Sequence, residues 1–296
     1  MSRKLLVCFT MDVERIASKS PSGGPETWES AERSVTDYCA ILAQAGYQAT
    51  LFIVPDTADK QAGLFRQLKQ EGHECGMHFH AQSWKDNYKD PDDHDYLGGY
   101  GPEEQYGLLK EAKEQCEKAL GFSPVSFRPG NFSANDTTFR VLGSLGFTGG
   151  SVSQPGRCVP SYKAVWSKAP REIHRAHPAF RLVPGDLDFV EVPVTSDQTV
   201  EKHWTGVGDT RFEACDADTI IRAARAEIGH QIKEKAPLQH LCFFTHNFAD
   251  YGQGKQSSRP VLQKVIDSLP AIAAEYDLEA EGCTIARAGQ ALKGDG

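Results

Sequence analysis

Short apolar runs alternate along the chain with longer stretches in which apolar positions recur every three or four residues, the spacing of one helix face. A first strand is expected over Leu5 to Val13, followed by a helix over Glu26 to Gly46 that stops at a glycine. A second strand, Ala49 to Val54, precedes a helix over Thr57 to Gly72, and Glu74 to His80 reads as a third strand. Lys85 to Gly101 is a polar, glycine-rich loop. Beyond it come a helix over Pro102 to Leu120, a strand at Ser126 to Pro129, a helix over Asn135 to Gly146 and a strand at Gly149 to Ser153. Gln154 to Asp188 has little periodicity and several prolines, and reads as an irregular loop or hairpin insertion. The alternation resumes with strand at Phe189 to Thr195, helix over Asp216 to Lys235, strand at Gln239 to His246, helix over Pro260 to Tyr276 and a last strand at Glu279 to Ile285 before a short tail.

This alternation predicts an α/β fold, a mostly parallel sheet covered by helices. At this length a closed or nearly closed barrel is expected in preference to an open doubly wound sheet, as one domain over residues 1–296. No Gly-x-Gly-x-x-Gly follows the first strand and no P-loop is present, so dinucleotide and nucleotide-phosphate readings lose their support.

Composition narrows the class. Of 296 residues, 40% are hydrophobic and 24% charged, which sets aside disorder, collagen and coiled coil. Forty acidic residues against 32 basic give a net charge of −8 with no basic run, so nucleic acid is not an expected partner. The first apolar stretch soon reaches Asp12 and Glu14, too early for a signal peptide, and no segment approaches the roughly 18 apolar residues of a membrane span. A cytoplasmic protein without a transmembrane segment is expected. The eight cysteines are scattered without a Cys-x-x-Cys, and read as free thiols packed like small hydrophobes in a reducing compartment.

In parallel barrels the chemistry gathers where strands run out into their following loops. Four such ends are polar: Thr10-Met11-Asp12-Val13-Glu14, Met77-His78-Phe79-His80, Phe127-Arg128-Pro129-Gly130 and Phe244-Thr245-His246-Asn247. Residues two apart on a strand share a face, so Asp12 and Glu14 can point together, as can His78 and His80. The two residues of rise amount to roughly 6.6 Å, from which both imidazoles can lean onto one ion. A carboxylate and two histidines with open positions suit catalytic zinc or a related divalent metal. Each pair alone has an ordinary alternative, a helix cap or salt bridge for the acids and a surface or core pair for the histidines.

The run Gly72-His73-Glu74-Cys75-Gly76-Met77-His78 carries the most specific signal. It resembles the second motif of the polysaccharide deacetylases of carbohydrate esterase family four, which share the NodB homology domain. Ser126-Phe127-Arg128-Pro129-Gly130 is similar to that family's third motif, and Val190-Glu191-Val192-Pro193-Val194-Thr195 and Phe244-Thr245-His246 to its later strands. The resemblance runs from Leu5 to about Ile285 and implies a distorted barrel of (β/α)7 type. Two departures stand out. Val13 replaces the second aspartate of the usual Thr-Phe-Asp-Asp-Gly, leaving Glu14 for that role, and Gln82 stands where His-x-x-x-His would place its second histidine, leaving His80.

The resemblance implies a metal-dependent hydrolase that removes acetyl groups from an N-acetylated sugar, in surface polysaccharide or lipopolysaccharide biosynthesis. Glu14, His78 and His80 would be the ligands of a divalent ion, most simply Zn2+, with Asp12 an alternative to Glu14. Asp12 would be the general base held by Arg128, His246 the acid, and Asn247 would orient a substrate hydroxyl. Trp84, Tyr88, Tyr96, Tyr100 and Trp204 are candidates either for sugar-ring platforms or for loop packing. His174 and His177 read as solvated loop residues, and the Asp90 to Asp95 cluster as a solvated loop without calcium-site spacing. Two other functions fit the altered motifs: a hydrolase of another C–N bond, such as a cyclic amide or imide, recognisable by a small closed pocket, and a non-catalytic carbohydrate-binding relative.

Overall fold

The first strand, β1 (Arg3–Val13), is the spine of the structure, with every side chain from Leu5 to Val13 buried. Strands covered on both faces read as continuous apolar runs, which is why this one is visible in the sequence. The computed structural model describes residues 3–20, 23–84, 96–200, 203–254 and 256–294. Along one side β1 pairs in parallel with β10 (Gln239–His246). Along the other, its first half pairs with β11 (Leu278–Gly282) and its second half with β2 (Ala49–Ile53). The sheet continues in parallel through β3 (Glu74–Phe79), β4 (Ser126–Pro129), β5 (Gly149–Gly150) and β9 (Val190–Glu191), and ends on an antiparallel strand, β8 (His174–Arg175). β6 (Cys158–Val159) and β7 (Ala164–Val165) form a separate antiparallel pair.

The sheet curls into a half-barrel whose open seam is bridged rather than laddered. Thr195 N donates to Cys242 O over 2.9 Å, Cys242 N donates to Thr195 Oγ1 over 3.0 Å, and His240 Nε2 meets Pro193 O at 3.1 Å. Among the described residues, eight α-helices pack on this sheet or beside it: α1 (Trp28–Gln44), α2 (Pro55–Lys60), α3 (Ala62–Gln70), α4 (Pro102–Leu120), α5 (Thr138–Ser144), α6 (Ala217–Lys233), α7 (Arg259–Ala274) and α8 (Ile285–Lys293). Their starts follow local chemistry. Thr27 and Ser30 exchange side-chain and backbone hydrogen bonds at the head of α1, a reciprocal cap, and Asp216 accepts from Thr219 N at the head of α6.

The α/β barrel class expected from the sequence is found, with several differences of detail, among them that the strand expected over 189–195 is only the two residues of β9. The helix expected over 57–72 is two, α2 and α3, broken at Gln61, whose side-chain amide reaches across to Trp28 O at 2.9 Å. The strand expected over 149–153 stops at Gly150: Ser151 N still donates to Phe127 O, but the buried Glu191 carboxylate takes the Val152 and Ser153 N–H groups that follow. Its Oε1 accepts from Val152 N (3.0 Å), Ser153 N (2.8 Å) and Ser153 Oγ (2.7 Å). Burial pushes the Glu191 carboxyl up to about 7, although these donors oppose the shift. The last strand ends at Gly282, and the supposed tail is helix α8, capped by Thr284.

The stretch 154–188 is irregular but well packed. Trp166 is fully buried there and donates Nε1–H to Phe132 O over 2.7 Å. His174 is not solvated: it lies buried in β8 with Nδ1 on Glu172 O at 2.8 Å, because the antiparallel pairing with β9 turns it inward. His177 is half-buried, its Nδ1 accepting from Ala179 N and Phe180 N. Tyr88 and the Asp90 to Asp95 cluster lie outside the described residues. All eight cysteines are free thiols, six of them buried, while Cys158 is exposed and Cys215 half-buried. Among the described residues no helix is long and apolar enough to cross a membrane.

Replacing Glu191 by alanine strands the Val152 and Ser153 N–H groups. The expected loss is roughly 1–3 kcal/mol, read as a lower urea midpoint with unchanged slope. An unchanged midpoint would mean that other acceptors serve both donors.

Candidate active site

Strand register assembles the site. Asp12 on β1 stands beside His246 on β10, and His78 on β3 beside Arg128 on β4, so one rim of the half-barrel carries all four polar ends. Glu14 follows β1 directly and is clamped by Asn247, whose Oδ1 accepts from Glu14 N (3.0 Å) and whose Nδ2 donates to Glu14 O (2.9 Å). The carboxylate thus held turns its Oε1 to 3.2 Å from His78 Nε2 and 2.8 Å from His80 Nε2, and the two imidazole nitrogens are 3.1 Å apart.

These three donors fit a metal ion. Ligands about 2.0–2.1 Å from a tetrahedral zinc lie about 3.3 Å from one another, close to the spacings found, and the three ligand atoms all lie within 4.8 Å of one another. The outer nitrogen of His78 faces Arg128 O at 2.8 Å. A carbonyl only accepts, so Nδ1 carries the proton and Nε2 is free to offer its lone pair, the arrangement metal-binding histidines require. His80 has its Nδ1 3.1 Å from the Gln82 side-chain amide. The same Gln82 Nε2 donates to Asn131 Oδ1 at 3.2 Å, so turning both amides over together would offer an oxygen to His80 Nδ1 and give His80 the same tautomer. Gly130 makes room, since a Cβ there would come within 2.5 Å of three atoms of the His80 ring. Asn131 and Phe132 follow with φ of 57° each, a left-handed conformation that is costly for side chains of this kind and is concentrated at functional sites.

Asp12 sits just outside the donor triad, with Oδ2 4.0 Å from His78 Nε2 and Oδ1 2.7 Å from Arg128 Nη1. Arg128 is fully buried. Its Nε donates to Ser151 O (3.2 Å) and its Nη2 to Ser151 Oγ (3.0 Å). Burial alone would raise the Asp12 carboxyl, but the Arg128 guanidinium and the His78 and His246 imidazoles together hold it below its ordinary value. Burial likewise opposes the charge on Glu14, and His80 and His78 bring it well below the usual range.

On the opposite side His246 places Nδ1 2.7 Å from Glu213 Oε1, while Glu213 Oε2 accepts from Thr245 Oγ1 at 2.6 Å. Burial lowers the His246 pKa, and the hydrogen bond and charge of Glu213, with Asp12 and Glu14, more than offset this and raise it. Glu213 is the partner that the sequence did not reveal. It lies in an irregular segment before α6 and belongs to no motif.

A cavity of about 370 Å³ joins these groups, with Asp12, Glu14, His78, His80 and His246 on its floor and Tyr162, Trp204, Arg157 and Arg211 on its walls. Trp204 is 70% exposed and meets the Tyr162 ring edge-on. Two expectations change. Trp84 is buried against Phe79 and does not line this cavity. Asn247 is fully buried and engaged with the backbone of Glu14, which makes it a clamp and takes it away from a substrate hydroxyl. Tyr96 stacks on Tyr162 from behind, and Tyr100 packs against the core.

Residues 24–150 match the family model described as polysaccharide deacetylase. Over that stretch, somewhat under half of the chain, the sequence is similar to the polysaccharide deacetylases. Solved structures share this deacetylase fold at low identity. A candidate polysaccharide deacetylase from Mycobacterium smegmatis is 18% identical with a TM-score of 0.65, the alignment covering 99% of this chain and 92% of that one. A candidate polysaccharide deacetylase from Pseudomonas aeruginosa PAO1 is 13% identical with a TM-score of 0.59 and the same coverage, 99% and 92%. PuuE allantoinase is 14% identical with a TM-score of 0.57, again covering 99% and 92%. No curated protein matches the chain.

Arg128→Met leaves Asp12 buried without its counter-charge in this deacetylase fold. A loss of roughly 3–5 kcal/mol is expected from breaking such a pair, measurable as a fall in urea midpoint at pH 7. The deficit should shrink as pH falls through the lowered Asp12 pKa, because the neutral acid no longer needs the guanidinium. A deficit independent of pH would assign it to lost packing alone.

Proposed function

We propose that the protein is a metal-dependent deacetylase acting on an N-acetylated sugar. The observation that carries this reading is the presence in one cavity of a metal-type donor triad between two oppositely tuned acid–base groups, Asp12 held by Arg128 and His246 held by Glu213. Two imidazoles and one carboxylate with open positions suit zinc. When bound at Glu14, His78 and His80, such an ion supplies Lewis acidity toward a carbonyl oxygen and a water molecule.

The remaining work falls to the chain. Asp12, kept ionised, accepts the proton of the attacking water as its oxygen bonds to the acetyl carbon. His246, kept protonated, gives its proton to the amide nitrogen as the C–N bond breaks, so that acetate and a free amine leave. This division of labour follows from two environments that push one pKa down and the other up. The Trp204 and Tyr162 rings at the mouth offer an apolar face to a sugar ring. Hydrolysis of a small cyclic amide would call for a closed pocket, and the exposed Trp204 rim favours a substrate that extends outward. A purely binding role would leave the Glu213–His246 pair without a use.

Purified protein loaded with zinc is expected to hold about one equivalent and to release acetate from N-acetylglucosamine oligomers, with His78→Ala and His80→Ala losing both metal and turnover. A wild type that takes up no ion from excess zinc, cobalt or nickel would sink the proposal.

The pH profile gives a second check. Turnover in this scheme needs protonated His246, so it falls as pH rises through that group's raised pKa, while the lowered Asp12 pKa sets the acid limb below the ordinary carboxylate value. Glu213→Gln removes the charge that holds the imidazolium and should move the alkaline limb down by about one pH unit. An unmoved limb with unchanged fold would remove His246 from the acid role.

A further inference from the structure

Away from the reacting groups, the cavity wall carries two guanidiniums, Arg157 and Arg211, and their situations differ. Arg211 is neutralised by its neighbour Asp209: its Nε lies 3.0 Å from each carboxylate oxygen and its Nη2 2.5 Å from Oδ2. Arg157 forms no ion pair among the described residues. Its one side-chain hydrogen bond there is neutral, from Nη1 to Gln154 Oε1 at 3.2 Å, and its Nε is buried with no hydrogen-bond partner. Asp209, the acid that acts on it, is already committed to Arg211.

A cation kept partly out of water without a counter-ion is costly unless something arrives to complete it. Burial and the neighbouring Arg211 charge both work against the charged form of Arg157, yet a guanidinium keeps its proton in proteins. The side chain is also set on a firm base. Arg157 O accepts from Trp166 N at 2.7 Å and Arg157 N donates to Gln154 O at 3.0 Å, so the fork is presented from a fixed turn. Planar oxyanions match such a fork through paired N–H···O bonds.

We propose that Arg157 selects a substrate bearing an anionic group, a carboxylate or a phosphate on the acylated sugar, and pairs with that group while the acetamide lies over the triad. This inference rests on the deacetylase reading and narrows its substrate class to acidic amino sugars.

The test is calorimetric binding of three probes to the full chain: N-acetylglucosamine, N-acetylglucosamine 6-phosphate and N-acetylglucosaminuronic acid. The wild type is expected to bind at least one charged probe roughly tenfold or more tightly than the neutral sugar, as a charged hydrogen-bonded pair provides. Preference for one probe over the other tells phosphate from carboxylate. Arg157→Gln should reduce the charged-to-neutral ratio to within about threefold, and Arg157→Lys should retain part of it. Equal binding of charged and neutral probes overturns the inference, as does a failure of both charged probes to bind. A preference that survives Arg157→Gln also overturns it, since the anion would then sit on an ion at the triad. Acetate release measured beside binding separates the two claims: Arg157-dependent anion binding without acetate release would reject the deacetylase reading and leave the anion site standing.

Discussion

A guanidinium buried inside the half-barrel sets the terms for everything around it. Arg128 has no exposed surface, so each of its donors must be met from within. Asp12 from β1 takes Nη1, and Ser151, just beyond β5, takes Nε and Nη2. Cys242 of β10 lies 3.9 Å from Nη2, and the Phe52 ring of β2 lies 4.4 Å below the guanidinium carbon. One side chain therefore registers four strands and the segment after β5 against one another. Such a pair is weak as a source of net stability, because desolvation offsets the attraction. What it provides here is position: a carboxylate fixed in direction and kept ionised at the cavity floor.

The same residue acts at its other end. The carbonyl of Arg128 takes the Nδ1 proton of His78, so its side chain fixes the proposed base and its backbone fixes the tautomer of a proposed ligand. Around this point the other groups are held by equally specific means. Asn247 clamps the backbone of Glu14, the missing Cβ of Gly130 admits the His80 ring, and Glu213 orients His246. Preorganised groups of this kind need no rearrangement when charge develops, which is what the proposed proton transfers by Asp12 and His246 would draw on.

The parts of this arrangement that were legible in sequence are those written in apolar strands. β1, β3, β4 and β10 are buried runs that end on polar residues, and their ends hold Asp12, His78, Arg128 and His246. Where pairing depends on a side chain, the pattern misleads. β5 reads as five residues and is two, and Glu191 takes the N–H groups of Val152 and Ser153 beyond it. Trp84 looked like a sugar platform from its place in a polar loop, but the contact that decides its role is with Phe79. Glu213 reaches His246 across 33 residues of sequence from a segment without periodicity, and no motif marks that contact. The cavity walls, Arg157, Tyr162 and Trp204, come from irregular chain for the same reason.

The two departures from the usual motifs become intelligible as one change. A ligand pair spaced His-x-x-x-His depends on the loop beyond the strand to bring its second ring back, whereas His78 lies in β3 and His80 just one residue past its end. Their Nε2 atoms converge at 3.1 Å. The acid must then come from a matching height on β1. Glu14, two residues beyond Asp12 and one methylene longer than an aspartate, reaches both rings, while Asp12 stays with Arg128. Val13, between the two acids, is buried in the core, and the carboxylate that meets both rings is that of Glu14. Gln82 is left without a ligand's place but stays within 3.1 Å of His80 Nδ1 and 3.2 Å of Asn131 Oδ1. The side chain at position 82 thus supports the His80 ring, which stands with His78 and Glu14 in the proposed ligand set.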